Sequence, residues 1–447
     1  MDITLSTNGG GYREGYEEFK KDATGKGLTW LEAIREQGIA RFSELGFPTP
    51  ANEDWRFTNV APIARTPFSI TRNGHEKLSP RALKPYEFPG LETIDLVFVD
   101  GAYSEELSKI GTLPEGVRVE NLARALETDE ELVKKHLSAY ADFTDEAFTA
   151  LNAAFMEDGG FVYVPRGVRL EKPVHILFVT TKRDKATIEN PRNLIVVEDN
   201  GSAEVVEQYV SLDESVYFSN VVTELFAGEN SSVGHYLIER ESKKAFNIST
   251  LRAEQKRSSN IRSHSVLLGG ALVRNNVHPV LGGEGCDSLI NGLYMSTGRQ
   301  HIDNYMKVEH KSPHCDSRQF YNGVLDGRSR GVFHGRIIVH EDAQKTDAKQ
   351  TNRNLLLSDN AQIDTKPQLE IYADDVKCTH GATIGQMDEN AIFYLRSRGI
   401  PHETARDVIL SAFTNGTIES MHVREIRDYC ENLLADWFTQ RKLADKG

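Results

Sequence analysis

The chain has 447 residues, 39% apolar and 26% charged, with a formal net charge of −14 at pH 7. Such a length exceeds one compact core and predicts two or three domains, while the acidic balance argues against a generic nucleic-acid binder, which would carry a basic face. Four cysteines, at 286, 315, 378 and 430, are too scattered for a disulfide framework and fit a reducing compartment.

The chain opens on a polar, Gly-rich stretch, residues 1–12, that lacks the apolar core of a secretory signal. No apolar run reaches the ~18 residues of a membrane span, so the expected location is the cytoplasm. Thr29-Trp-Leu-Glu32 has the form of a capping box. Leu31, Ile34, Phe42 and Leu45 then share one face of a helix that Gly46 and Pro48 stop and Gly38 weakens. Residues 96–99 read as a strand and 122–137 as further helix. Residues 1–155 are thus expected to form a helical or mixed cap, with Trp55 in its core.

From Phe161 the texture changes. Residues 161–164, 174–180, 194–197, 203–210, 216–226, 233–238 and 261–268 are short apolar or alternating runs separated by Gly, Asn, Asp and Ser. Strands at this spacing, with no helix between them, indicate a sandwich, a barrel or a β-solenoid; without a strict short repeat, periodicity leaves the three open. The rhythm continues through 343–385, where Leu355, Leu369 and Val376 lead apolar pieces separated by Ser-Asp-Asn, Thr-Lys-Pro and Ala-Asp-Asp turn formers. Asn275, Asn276, Asn291, Asn304, Asn322, Asn352, Asn354 and Asn360 are expected at corners, where amides ladder or tolerate left-handed backbone. A β domain over 156–385 follows.

Over 386–447 the pattern is helical. Asp388 is placed to cap a short segment ending at Gly399-Ile400-Pro401. Ala405, Val408, Ile409, Ala412 and Phe413 follow helical spacing up to Gly416, and Ile426, Cys430, Leu433, Leu434 and Trp437 repeat it. Two such helices bury little alone and must dock on the β domain or on another protein.

Cys378 and His380 stand two apart. On an extended strand a thiol and an imidazole at that spacing share a face, and a soft sulfur beside a borderline nitrogen suits iron, zinc or copper(I). A buried thiol beside a hydrogen-bonded histidine fits the same spacing. His310, His314 and Cys315 form a second run, but Pro313 lies inside it, and a hydrogen-bonded corner is expected over a metal site. Cys286, His334 and Cys430 are expected to be structural. The chain has no Gly-x-x-x-x-Gly-Lys-Ser/Thr loop, no Gly-x-Ser-x-Gly elbow and no His-Glu-x-x-His, which favours a scaffold over an enzyme. A catalytic β-helix acting on polysaccharide would carry acidic clusters along one sheet, and none is visible.

The run 343–385, with Phe393-Tyr-Leu-Arg-Ser-Arg-Gly-Ile400 after it, resembles the C-terminal signature of the SufB/SufD family of iron–sulfur cluster assembly scaffolds. The likeness extends through Asn291-Gly-Leu-Tyr294, Gln300-His-Ile-Asp-Asn304, Gly331-Val-Phe-His-Gly-Arg336 and Ala150-Leu-Asn-Ala-Ala154. It reaches Leu45-Gly-Phe-Pro-Thr49 and Asn52-Glu-Asp-Trp-Arg-Phe-Thr58, nearly the whole chain. It implies a right-handed parallel β-helix core, strand pairing with SufB at the helix end, and a C-terminal helical domain that holds the SufC ATPase, so that ATP acts only through SufC. It also implies a transient iron–sulfur cluster or iron shared with SufB, for which His380 is a metal ligand and Cys378 a second candidate. SufB types carry a Cys before the 355–357 run and a Glu after the histidine; Asn352 and Gly381 stand there in this chain, which places it in the SufD branch. A homodimer is a further expectation for the isolated chain.

Overall fold

The structure is a computed structural model that describes residues 3–5, 10–70 and 78–444. From residue 202 onward consecutive strands alternate between two sheets: Ser202–Ser211 lies in one, Tyr217–Ala227 in the other, and Ser232–Arg240 returns to the first. Each coil therefore contributes one strand to each sheet. Pairing between coils is parallel and in register, with Ser202, Ser232, Asn260, Asp287, Asp316, Asp347 and Lys377 stacked in one column. Of the three architectures left open by the strand spacing, the chain adopts the solenoid, a parallel β-helix. Its apolar core runs between the two sheets, from Val205 and Val221 through Ile290 and Tyr294 to Phe333.

The repeat lies in backbone conformation and is nearly invisible in residue identity. Asn200, Asn230, Ser258, Gly285, His314 and Lys345 all take positive φ, between 55° and 71°. Each donates its backbone N–H to the next coil; Asn230 reaches the Arg257 carbonyl at 2.9 Å and Ser258 the Glu284 carbonyl at 2.8 Å. A left-handed residue at every turn of the same corner keeps the coils in step. The asparagines expected at corners lie elsewhere. All but Asn360 sit within strands, where a buried amide must find partners. Asn322 and Asn291, for instance, donate outward to the Phe413 carbonyl at 2.7 Å and the Ser420 hydroxyl at 2.6 Å, pinning a C-terminal helix to the sheet.

The Asn291-Gly-Leu-Tyr294 motif has a packing cause. Gly292 is in register with Tyr321, and Tyr294 with Gly323, so each aromatic ring lies over a glycine of the neighbouring coil. A Cβ on either glycine would run into that ring.

The N-terminal region closes one end of the solenoid. Ile94–Val99 adds a parallel strand beside Val174–Thr180, and Ala102–Tyr103 then pairs with it antiparallel. On the other sheet Arg118–Asn121 runs antiparallel to Gly160–Val164, and Ile3–Leu5 antiparallel to Phe68–Ile70. The helix Thr29–Leu45 begins one residue earlier than a capping box requires: Leu28 is its N-cap, and Glu32 instead accepts from the Gly27 N–H at 2.9 Å. Gly46 ends it as expected, at φ 62°. Gly38 trades helix propensity for contact, since a Cβ there would lie 2.8 Å from the Ala150 carbonyl of helix Ala147–Phe155. The expected helix 122–137 is two, Leu122–Thr128 and Glu130–His136, broken at Asp129. Trp55 is partly buried, against Phe148 and over the Arg274 guanidinium at 3.9 Å.

At the other terminus Asp388 caps Glu389–Ser397 by accepting from the Asn390 and Ala391 amides. Helix His402–Ile418 runs through Gly416 and rests on the sheet by Leu410, Thr414, Thr417 and Ile418. Its contact face is therefore rotated from the expected stripe; Ala405 is buried, but Val408 and Ala412 are exposed. Helix Arg424–Ala444 buries Ile426, Cys430, Leu433, Leu434 and Trp437 against the sheet's outer face, as its spacing predicts. Among the described residues no helix is long and apolar enough to cross a membrane.

Candidate functional site

The solenoid ends in two full-length strands, Gln362–Ile371 and Lys377–Gln386, each the last of its sheet. Their outer edges carry unpaired backbone donors and acceptors. Such edges are a template for another chain unless covered, and among the described residues only the opposite end has antiparallel strands folded across it.

Register fixes which side chains look into the mouth of this last coil. Cys378 pairs with Ala348 and His380 with Gln350, and both lower residues are buried inside the solenoid. Cys378 and His380, with Ala382 and Ile384 at the same alternation, therefore face over the end of the core. Ile363, Thr365, Pro367 and Leu369 do so from the facing strand, above Gly331, Phe333, Gly335 and Ile337. The spacing read from the sequence thus brings the thiol and the imidazole to one face of one strand.

Their surroundings differ. Cys378 is half-buried, with Leu369 and Val376, against a cluster of Ile337, Val339, Ala343, Ala348 and Ala373, and burial pushes its thiol above the ordinary range. At neutral pH it carries a proton that a metal would have to displace. His380 is exposed, and a neutral imidazole offers a lone pair at little desolvation cost. The Oε1 of Gln350, beneath His380, and the Oγ1 of Thr365, on the facing strand, are buried without a hydrogen-bond partner, so the mouth is polar where its walls are apolar.

Gln350 is a residue that sequence reasoning missed. Gln319, Gln350 and His380 stack on three consecutive coils. The Gln350 amide donates to Gln319 Oε1 at 2.8 Å, and its own carbonyl oxygen is buried without a partner one layer below His380. Only the coil spacing links these positions, and that spacing is legible once the register is known.

The second run does not converge. His310 is buried with Nε2 at 2.9 Å from the Ser317 hydroxyl, His314 is exposed at the left-handed corner, and Cys315 turns into the corner interior. Among the described residues no group of three or more His, Cys, Asp or Glu could hold a metal ion. One imidazole and one thiol fall short of the four ligands that iron or zinc ordinarily takes from cysteine and histidine.

Comparison with known proteins agrees along nearly the whole length. Residues 178–413 match the SUF system FeS cluster assembly, SufBD core domain, and residues 8–176 the SufBD protein N-terminal region. The iron-sulfur cluster assembly protein SufD of Escherichia coli is 31% identical over 388 residues, 86% of this chain and 88% of its own length. An iron-sulfur cluster assembly SufBD family protein of Synechocystis sp. is 32% identical over 402 residues, 88% of each chain. The SufD of Bacillus subtilis is 27% identical over 413 residues, 89% of this chain and 92% of its own. The chain belongs to the SufBD family of iron–sulfur cluster assembly proteins.

Proposed function

We propose that the chain is a SufD-type, non-catalytic scaffold subunit that pairs with SufB through its open strand edges and offers His380 to a nascent iron–sulfur cluster or iron held between the two. The observation that carries this reading is the asymmetry of the solenoid. One end is closed by the chain's own antiparallel strands; the other presents two ten-residue edges around an exposed imidazole. A single histidine cannot hold a cluster, so the remaining ligands come from the partner, and Cys378 is the one further soft donor in the mouth among the described residues. The cluster is cargo passed through the site. Asn352 supports the SufD assignment over a SufB-like one: where SufB types carry a cysteine, its amide is buried and donates to the Tyr321 carbonyl at 3.3 Å.

In this reading residues 1–155 are the cap, 156–385 the β-helix scaffold and 386–447 the domain that binds the SufC ATPase, all in the cytoplasm. Phe393 and Tyr394, 71% and 58% exposed on helix Glu389–Ser397, support a protein-facing role for the last domain. Nucleotide-driven movement of SufC would then pull on the scaffold pair as rigid bodies and open the mouth. The isolated chain would form a homodimer through the same edges.

The test is anaerobic copurification of the coexpressed complex. His380→Ala should leave the assembled complex intact but without its iron and sulfide. Wild-type metal content in that variant would remove His380 from the site. Phe393→Ala with Tyr394→Ala should leave the fold unchanged and release SufC from an affinity column; full retention would remove these residues from the SufC contact.

A further inference from the structure

Cys286 and Cys315 take no part in the rim. They occupy the inward position just after the left-handed corner on consecutive coils, one above the other. The in-register pair Asp287 and Asp316 follows them, and the Asp316 N–H donates to the Cys286 carbonyl at 2.9 Å. Strands paired this way lie about 4.8 Å apart, within the Cα separation that a disulfide accepts. Both thiols reach one acceptor, the Gly283 carbonyl, at 3.1 Å from Cys286 and 3.2 Å from Cys315. The two sulfurs therefore converge on the same point, and both cysteines are free.

The fold does not need sulfur there. Ser231, Ser259 and Thr346 hold the same position on neighbouring coils, and their hydroxyls donate to the corner carbonyls of Gly228, Lys256 and Ala343 at 2.7, 2.7 and 2.8 Å. A hydroxyl column interrupted by two touching thiols keeps the structural hydrogen bond and adds redox chemistry. The thiols are also unequal. The hydrogen bond from Cys315 draws Cys286 well below the ordinary thiol value, and the same contact, with burial, pushes Cys315 up. The sulfur that loses its proton is the nucleophile, and its neighbour one coil away is placed to resolve it. They are 1% and 0% exposed, but only a thin corner covers them, with Glu284, Gly285 and His314 at the surface.

We propose that Cys286 and Cys315 form an oxidisable dithiol that peroxide converts to a disulfide joining consecutive coils. The Cys286 thiolate attacks one peroxide oxygen and breaks the O–O bond, which gives a sulfenic acid and a hydroxide that leaves as water with one proton. The Cys315 sulfur then attacks the sulfenic sulfur; its thiol proton and the departing hydroxide leave as a second water. Two thiols and one hydrogen peroxide become one disulfide and two waters, the sulfur pair losing the two electrons that the peroxide gains.

The experiment treats the native full-length chain with hydrogen peroxide, blocks free thiols by alkylation and maps unreduced peptides by mass spectrometry. The expected product joins the Cys286 and Cys315 peptides and is two hydrogens lighter than their sum. Cys286→Ser and Cys315→Ser insert the residue the column already uses, so both should fold with the wild-type circular dichroism. Cys315→Ser should strand a sulfenic acid on Cys286 that dimedone traps. Cys286→Ser should lose the linked product completely, because the partner sulfur is gone. Oxidation of Cys378 alone, with both corner thiols recovered alkylated, overturns the proposal. So does a link between Cys286 and Cys315 that forms only in denaturant.

Discussion

Replacing Glu224 by alanine tests what joins the N-terminal cap to the solenoid. Glu224 lies on strand Tyr217–Ala227, fully buried, and its carboxylate accepts four hydrogen bonds. Three come from backbone amides of the cap, Ser138 at 2.6 Å, Tyr140 at 2.8 Å and Ala141 at 2.9 Å. The fourth comes from the equally buried Arg192 guanidinium at 2.6 Å, which also donates to Asn152 of helix Ala147–Phe155 at 3.1 Å. Breaking one side of a buried ion pair costs about 3–5 kcal/mol, because the partner charge stays behind without compensation. Orphaned amides would add about 1–3 kcal/mol each if they stayed dry. Since the 138–141 segment can move out to water, the guanidinium decides the total, and Glu224→Ala should lose about 3–5 kcal/mol in urea unfolding. The double variant Arg192→Met with Glu224→Leu separates the two parts: it removes both charges, and with the amides free to reach water it should recover most of that loss. Limited proteolysis should cut Glu224→Ala near 138–141 before the wild type. An unfolding free energy within about 0.5 kcal/mol of wild type, the range of ordinary surface changes, would refute the anchor.

Three further outcomes are expected. Burial, with Asp100 nearby, raises the Glu189 carboxyl to about 8, so the folded chain holds a proton there that the unfolded chain releases above about 4.3. Its contribution is intact below that lower value and is lost as pH rises through 8; Glu189→Gln should therefore match wild-type stability at pH 4 and exceed it at pH 9, and parallel urea curves would count against it. Gly323→Ala sets a Cβ within 2.5 Å of the Tyr294 ring and should cost about 1–3 kcal/mol by overpacking, read as a lower urea midpoint; an unchanged midpoint would mean the ring moves freely. Ile384→Asp alters a side chain already 51% exposed at the mouth, so the isolated chain should keep its stability within about 0.5 kcal/mol while its affinity for SufB falls, measured by sedimentation of the mixture; unchanged affinity would remove Ile384 from the interface.

The β domain was legible because its strands alternate apolar and polar residues, and the last helix because Ile426 to Trp437 keep a helical period over a single docking face. The solenoid itself was not. The corner that repeats asks only for tolerance of positive φ, which Asn, Ser, Gly, His and Lys meet in turn, so the period leaves almost no trace in residue type. Helix His402–Ile418 misled for a related reason. It carries a second apolar stripe, through Val408, that the chain does not bury, and spacing cannot say which stripe meets the sheet. At the site, Cys378 and His380 were visible through a two-residue spacing on one strand. Gln350 and Thr365 reach the same mouth only through coil stacking, a relation between distant positions that a linear pattern does not display.

The two ends of the solenoid show how far the alternation rule carries meaning by itself. At the closed end Ile94, Leu96 and Phe98 point into the core and are almost fully covered. At the open end Cys378, Ala382 and Ile384 keep the same inward alternation, yet Ile384 remains exposed, as do Ile371 and Tyr372 where the facing strand ends. The last strand thus keeps small or apolar residues at the inward places 378, 382 and 384, with His380 and Gln386 as the polar ones. Evolutionary drift on a solvated edge would favour charged residues there, since lysines, prolines or bulges blunt an unpaired strand at little cost. An interior pattern held without an interior is what a layer from another chain would require, and the single imidazole within that pattern is then a group the two layers share.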